Sequence, residues 1–405
     1  MANQFEIVGK LSISKESEKF KPYEHTSFAS GWAKGRLLFN VQAAENRHML
    51  TTEGMYKEDG TGTIYTFTKG KISPVTSVKT KGESLQVKWK DRNKPEILEQ
   101  VAEFKKFVID FEKQGRRYEL EKALKKQEAG ESVVEELETL GVEDLAKAVE
   151  ESKKKRKEFL SEYDFAEYLA KLLQSDKLKD KKFRILGEIV YSEYNGKIYK
   201  KLVPQRVYLV NSDEEDISTA QITVYYNSES LDENSFDDTG KLYVNGFIRN
   251  YDGQRKENIP CPIQLTIDGS KEDEKVQKFT KVMKSQFTVS DDSWKEFGVK
   301  VKLLDGAQKV EITEEMLSDF QKEMLELEVI TMDEIRKEIG GDVYGERTQE
   351  MVIVNVARGY TKGRKDSVFV DSDFEIKPIV KEETPAPTLD EKEEEDLFED
   401  LDDIL

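Results

Sequence analysis

From Trp32 the side chains alternate with a period of two, the pattern a half-buried strand imposes on its sequence. Ala33, Leu37, Phe39 and Val41 fall on one face, and Trp32, Lys34, Arg36 and Asn40 on the other. One face therefore belongs to a core, while its reverse carries a large ring and two cations. A second strand is expected around Met49 to Lys57. The turn Asp59-Gly60-Thr61-Gly62 leads into a third, Thr63 to Thr68, with Tyr65 and Phe67 on one side. Rings interleaved with Lys and Arg suit unpaired bases, because bases stack on rings while cations follow phosphates. The candidate contacts of this platform are Trp32, Lys34, Arg36, Tyr56, Lys57, Tyr65, Phe67 and Lys69. The competing reading puts Tyr65 and Phe67 in a core and Trp32 at its rim.

At 405 residues the chain is long enough for roughly two to four domains of about 100 to 200 residues each. No apolar run approaches the ~18 residues of a membrane span, and the first residues lack a secretory pattern, so a cytoplasmic protein with no membrane contact is expected. Cys261 is the single cysteine, which excludes a disulfide framework and a cysteine-based zinc site. A net charge of −18 argues at first against a polyanionic partner. Its distribution reverses that argument. Residues 381–405 hold 12 Asp/Glu against 2 Lys, whereas residues 1–94 hold 16 Lys/Arg against 10 Asp/Glu. A basic, ring-rich beginning and an acidic end suggest nucleic-acid binding with an acidic tail.

Along the chain, Phe5 to Ile13 opens as a strand with a bend or bulge at Gly9. Beyond Pro95, the spacing of Ile97, Val101, Phe104, Val108 and Phe111 predicts a helix. Composition stays helical and charged to about Lys182, and Phe165, Tyr168, Leu169, Leu172 and Leu173 form an amphipathic face. Strands then resume with an echo of the opening phrase. Phe183-Arg-Ile-Leu-Gly-Glu-Ile189 repeats Phe5-Glu-Ile-Val-Gly-Lys-Leu11, and Leu242-Tyr-Val-Asn-Gly-Phe-Ile248 keeps its apolar-Gly-apolar centre. Such repetition suggests a duplicated β-unit. In the third phrase Tyr243, Phe247, Arg249 and Tyr251 line one face and make a second candidate platform. The expected division is an N-terminal β-unit (1–94), a helical insertion (95–180), a second β-unit (181–270), an α+β region (271–380) and a disordered acidic tail (381–405).

Catalytic patterns are scarce. His25 and His48 stand in no nucleophile or metal motif, and no phosphate-binding G-x-x-x-x-G-K-[ST] run occurs. Asp373-Phe-Glu-Ile-Lys377 matches a two-carboxylate-plus-lysine nuclease spelling without an upstream acidic strand, so surface charge before a linker explains it better. A non-enzyme with no cofactor and no metal is expected.

Strand, bent strands, helix and strand pair in this order match an oligonucleotide/oligosaccharide-binding (OB) fold, a small Greek-key barrel that takes single strands on one face. The end of the chain carries a second likeness. Asp396-Leu-Phe-Glu-Asp-Leu-Asp-Asp-Ile-Leu405 resembles the C-terminal tip of bacterial and phage single-stranded DNA-binding proteins. In that family an acidic tail ends in Asp-Asp-Ile with a proline and an aromatic residue. Here Asp402, Asp403 and Ile404 match, the proline is missing and Leu405 replaces the ring. The resemblance implies a large phage-type protein with two or three OB-like barrels, active in replication or recombination in the host cytoplasm. It implies single-stranded DNA as one partner. It also implies replication or recombination proteins as others, docked through Leu397, Phe398, Leu401, Asp402, Asp403, Ile404 and Leu405. A phage assembly protein or an adaptor binding proteins alone is the alternative, and oligomeric state stays open.

Overall fold

The computed structural model describes residues 3–375 except 18–19, 71–79, 113–114, 176–177, 179, 195–196, 253–255, 292, 311–316, 328 and 333–342. The expected disordered tail, 381–405, lies outside the described residues. Within them the protein is β-rich, with fifteen strands in one large mixed sheet, two in a separate hairpin, and a few helices.

The alternating segment forms β3 (Trp32–Ala43), preceded by β1 (Gln4–Ser12) and β2 (Tyr23–Ser27) and followed by β4 (Asn46–Lys57). β1 pairs antiparallel with β3 over Lys10–Ser12, and β3 with β4 over its whole length. The next partners of these strands come from far along the chain. β9 (Lys182–Tyr194) lies antiparallel to β1, β10 (Lys197–Leu209) antiparallel to β9, and β10 meets β4 in parallel at Leu202 and Leu50. The pairing β1–β3–β4–β10–β9–β1 thus closes on itself. Inside it lie Phe5, Ile7, Leu37, Phe39, Val41, Leu50, Ile185 and Ile189, all buried. One end is stopped by the amphipathic helix, α5 in chain order (Glu162–Leu173), which turns Phe165 and Leu169 inward against β3 and β4.

A second closed cycle follows. β11 (Ile217–Tyr226) meets β13 (Lys241–Asp252) at Tyr225 and Phe247, and β13 pairs with β14 (Glu257–Asp268). β14 touches β16 (Val343–Val356) in parallel at Thr266 and Val352, and β16 returns through β15 (Lys295–Val310) to β11. Its stopper is α7 (Glu274–Phe287), which buries Met283 and Phe287 and starts on Asp273, whose carboxylate accepts the Lys275 and Val276 amides. Short β12 (Leu231–Asp232) and β17 (Lys365–Asp366) extend the sheet at β13 and β15, and α6 (Phe236–Thr239) precedes β13. The first strands of the two cycles pair antiparallel from Gln4↔Gln221 to Val8↔Ile217, which joins the cycles into one sheet. Side chains reinforce the joint. The Ala44 amide donates to Asp216 and the Asp305 amide to Asn46, while buried His48 Nε2 faces Ser218 Oγ at 2.6 Å.

Strand pairing divides the chain differently from its phrases. Residues 182–209 belong with 4–57, whereas 217–268 belong with 295–356, so the span 181–270 is split between the two cycles. The echoing phrases are not equivalent units, since β1 and β9 lie side by side, Phe5 opposite Gly187 and Gly9 opposite Phe183. What they share is a steric demand. A Cβ on Gly9 would stand 2.1 Å from the Gln42 carbonyl oxygen, at the point where β1 changes partner from β11 to β3. One on Gly246 would stand 2.8 Å from the Tyr225 carbonyl oxygen, beside the β11–β13 crossing. Tightly curved strands that switch neighbours need glycine where another backbone presses on them.

Residues 58–181 form an insertion between the third and fourth strands of the first cycle. β5 (Thr63–Phe67) and β6 (Ser84–Lys88) make the separate hairpin. The helix expected from Ile97 to Phe111 stops early, at α1 (Pro95–Gln100). The edge of β5 offers its free backbone groups, so Val101 bridges Thr68, the Ala102 amide donates to Phe67 and the Lys69 amide to Gln100. Phe107–Asp110 then continues as β7 beside β10, with β8 (Arg156–Phe159) on its outer edge. Between them α2 (Arg116–Glu128), α3 (Val134–Leu140) and α4 (Leu145–Lys154) pack a small core of their own from Leu120, Val133, Leu140, Leu145 and Val149.

Candidate nucleic-acid interface

On the first cycle the outer face of β3 and β4 brings Trp32, Lys34 and Arg36 opposite Lys57, Met55 and Glu53. Trp32 is 37% exposed, and the Lys57 ammonium lies 5.8 Å from the centre of its ring. Lys34 reaches Glu53 at 3.4 Å. Burial works to raise the Glu53 carboxyl, but Lys201, Lys34 and Arg36 outweigh it and hold the group below its ordinary value. Glu53 and Glu24, the latter opposite Arg36 on β2, are thus two carboxylates among four cations, Lys34, Arg36, Lys57 and Lys201, and the face keeps a positive excess around an accessible ring. Met55 belongs to it by the same parity as Glu53 and Lys57, and Lys201 joins it without any sign in the β4 sequence. Lys201 comes from β10, whose place beside β4 no local pattern shows.

Tyr56 is not on this face. It pairs with Ala33, on the side reverse to Trp32, and its ring stacks on Trp89 at 5.1 Å and 7° and meets Tyr163 at 4.5 Å. Period two decides this, because neighbours in a strand point to opposite sides. Arg92 secures the cluster, with its guanidinium 3.8 Å over Trp89 and two bonds to Asp164.

Tyr65 and Phe67 stand outside any core, 72% and 43% exposed on β5. Early termination of the preceding helix adds a third ring beside them. Phe104 is 66% exposed, and the Lys105 ammonium lies 5.7 Å from the centres of both Phe67 and Phe104. Helical spacing puts Phe104 on the apolar side of the expected helix, whereas the structure leaves it exposed. Lys69 is exposed and paired with Glu103 at 3.3 Å.

The second platform is organised in another way. Tyr251 is exposed and Tyr243 half-buried, but Phe247 and Arg249 lie beneath residues 367–375. That segment carries a short 3-10 turn over Asp371–Asp373 after β17. Phe374 stacks on Trp294 at 3.8 Å and 24°, both rings only 6% exposed. It also meets Phe247 at 5.3 Å and Tyr225 at 5.8 Å. The Arg249 guanidinium lies 4.1 Å over Phe369, and Trp294 Nε1 donates to Asp371 at 2.7 Å.

Several cations of the other basic stretches are engaged internally. In the run 153–157, Lys153 pairs with Glu150, Lys155 with Glu112, and Arg156 with Glu103 and Glu158. In the loop 358–365, Tyr360 is buried against Glu296, and Arg364 donates to the Gln286 and Thr288 carbonyls. The docking residues Leu397, Phe398, Leu401, Asp402, Asp403, Ile404 and Leu405 lie outside the described residues. Among the described residues no helix is long and apolar enough to cross a membrane.

No protein-family model and no curated protein sequence matches the chain. Among solved structures it is similar to a deletion mutant of the single-stranded DNA binding protein from Thermus aquaticus. That likeness has a TM-score of 0.28 and 8% identity, and it covers 75% of this chain and 86% of that one. A TM-score this low carries no residue correspondence.

Proposed function

We propose that the protein binds single-stranded nucleic acid, DNA in the first instance, without reading its sequence, and that each closed cycle is an OB-type barrel. In both cycles the five strands pair in the order first, second, third, fifth, fourth and back to first, with third and fifth parallel and a helix between third and fourth. In a barrel of this kind the outer face of the second and third strands receives oligonucleotides. In the first cycle those strands are β3 and β4, and they carry the half-exposed Trp32 among Lys34, Arg36 and Lys57. That placement is the observation on which the reading rests. Tyr65, Phe67 and Phe104 offer further stacking surfaces on the insertion.

Binding in this reading is the whole activity, in replication or recombination, with no catalytic step. The acidic tail serves as a tether for partner proteins, since five large apolar residues among its last nine exceed what solubility needs. Titration of oligo-dT, oligo-U and duplex DNA at two salt concentrations tests the reading. Oligo-dT is expected to bind with strong salt dependence and duplex weakly. Equal affinity for duplex, or none for any of the three, overturns it. Removing residues 389–405 should leave oligo-dT affinity intact or raised and abolish capture of replication proteins; a truncation that retains every partner refutes the tether.

A further inference from the structure

We infer that the outer face of the second cycle is a latent single-strand site, closed by the chain's own residues 367–375, which stand where bases and phosphates would. The inference rests on the reading of the first face given above. β11 and β13 present Tyr225 and Phe247 side by side across their pairing, with Arg249 two positions on and Trp294 at the edge. Three rings and a guanidinium on one sheet face are the elements from which a base-stacking platform is made. The covering segment satisfies them in kind. Phe374 lies on Trp294 as a base would, nearly parallel, and Phe369 lies under the guanidinium of Arg249. Carboxylates take the polar positions, with Asp371 accepting from Trp294 Nε1 and Asp366 from Lys295 Nζ at 2.8 Å.

The fit is incomplete at one atom. Arg249 Nη1 is buried under the segment without a hydrogen-bond acceptor, and Nη2 reaches only the Asn258 carbonyl at 3.3 Å. A buried guanidinium N–H left unpaired costs free energy that a phosphate oxygen would recover. Beside the segment a cleft already runs past Arg249, Tyr251, Asn258, Thr223 and Tyr225, so a strand has somewhere to start. The cover is short and follows β17, a strand of two residues, so a single strand engaging Arg249 and Tyr251 lifts it by exchanging its own bases and phosphates for the Phe369, Phe374 and Asp371 contacts.

Two full-length chains test this with labelled oligo-dT. In the first, Trp32→Phe and Trp89→Phe leave Trp294 as the sole tryptophan. Its emission is expected to change on saturation with oligo-dT, because Phe374 leaves its ring. In the second, Phe369→Ala and Phe374→Ala remove the stacked rings of the cover. This chain is expected to bind at least fivefold tighter to oligonucleotides long enough to reach both cycles. Should that pair of changes unfold the second cycle, Asp366→Ala with Asp371→Ala loosens the cover while its rings remain, and a two- to threefold gain is expected. If the parent binds but Trp294 stays silent and a folded cover variant gains no affinity, the latent site is overturned while the first face stands. If neither the parent nor any variant binds oligo-dT, the reading of the first face falls, and this one with it.

Discussion

The two closed cycles share strand order and the position of their helix, yet their outer faces have opposite fates. On β3 and β4, the second and third strands of their cycle, a tryptophan and three cations meet solvent, whereas the ring-bearing surface on β11 and β13, the first and second strands of theirs, is roofed by Phe369 and Phe374. Whether a ring-bearing face stays open on this architecture is therefore decided less by the closed cycle of strands than by what the chain does after completing it. The first cycle ends at Leu209 and hands the chain directly to the second. The second ends at Val356 with chain left over, and the residues up to Glu375 fold back across it.

The largest effect should come from the stoppers, where the two cycles are alike. Phe165→Ala and Phe287→Ala each remove a fully buried ring, with an expected cost of about 3–5 kcal/mol in urea unfolding. If only one of the two is costly, the cycles are not equivalent in construction.

Protonation should separate them. Glu162, at the start of α5, accepts from Thr52 Oγ1 and the Glu53 amide, and burial pushes its carboxyl up to about 7. A raised carboxyl contributes stability that is fully present below its ordinary value of 4.5 and is lost as pH rises through about 7. Glu162→Gln keeps an acceptor without the charge, so it should stabilise the protein at pH 8 by up to roughly 3 kcal/mol and do little at pH 5. Thermal melting at the two pH values checks it; a gain of equal size at both would exclude protonation as the cause. The second cycle's helix starts instead on Asp273, an exposed residue whose carboxylate accepts the Lys275 and Val276 amides.

Binding effects are smaller. Trp32→Ala should weaken oligo-dT affinity by about 1–3 kcal/mol, the range for one lost stacking ring. Normal binding by this variant would remove the contrast between the faces altogether. The smallest expected change is in salt response. Lys57→Ala should flatten the logarithmic salt slope by about 0.7, one single-strand phosphate contact, and an unchanged slope would leave Lys57 merely as the neighbour of Trp32.

Much of this was legible locally. Alternation along β3 placed Ala33, Leu37, Phe39 and Val41 inside and Trp32, Lys34 and Arg36 outside, and the helical spacing of Phe165 and Leu169 marked the buried side of α5. Tyr56 lies on the reverse face from Lys57 because parity, and not adjacency in the chain, sets its side. Phe104 was misread because apolar spacing describes a helix without regard to the strand edge competing for the same backbone.

By itself the sequence determined which positions of β3 and α5 face a core, that strands flank a largely helical middle, and that acidity gathers at the end of the chain. Those are properties of neighbouring residues, set by the two repeats of side-chain direction. Tertiary structure alone decided that 182–209 returns to 4–57, that Lys201 joins Lys34 and Arg36, and that Phe374 covers Trp294. Alternation says which side of a strand is buried but not which strand lies beside it. Closing a sheet selects partners by backbone geometry across long separations, and whether a ring stays exposed depends on which later segment comes to rest on it.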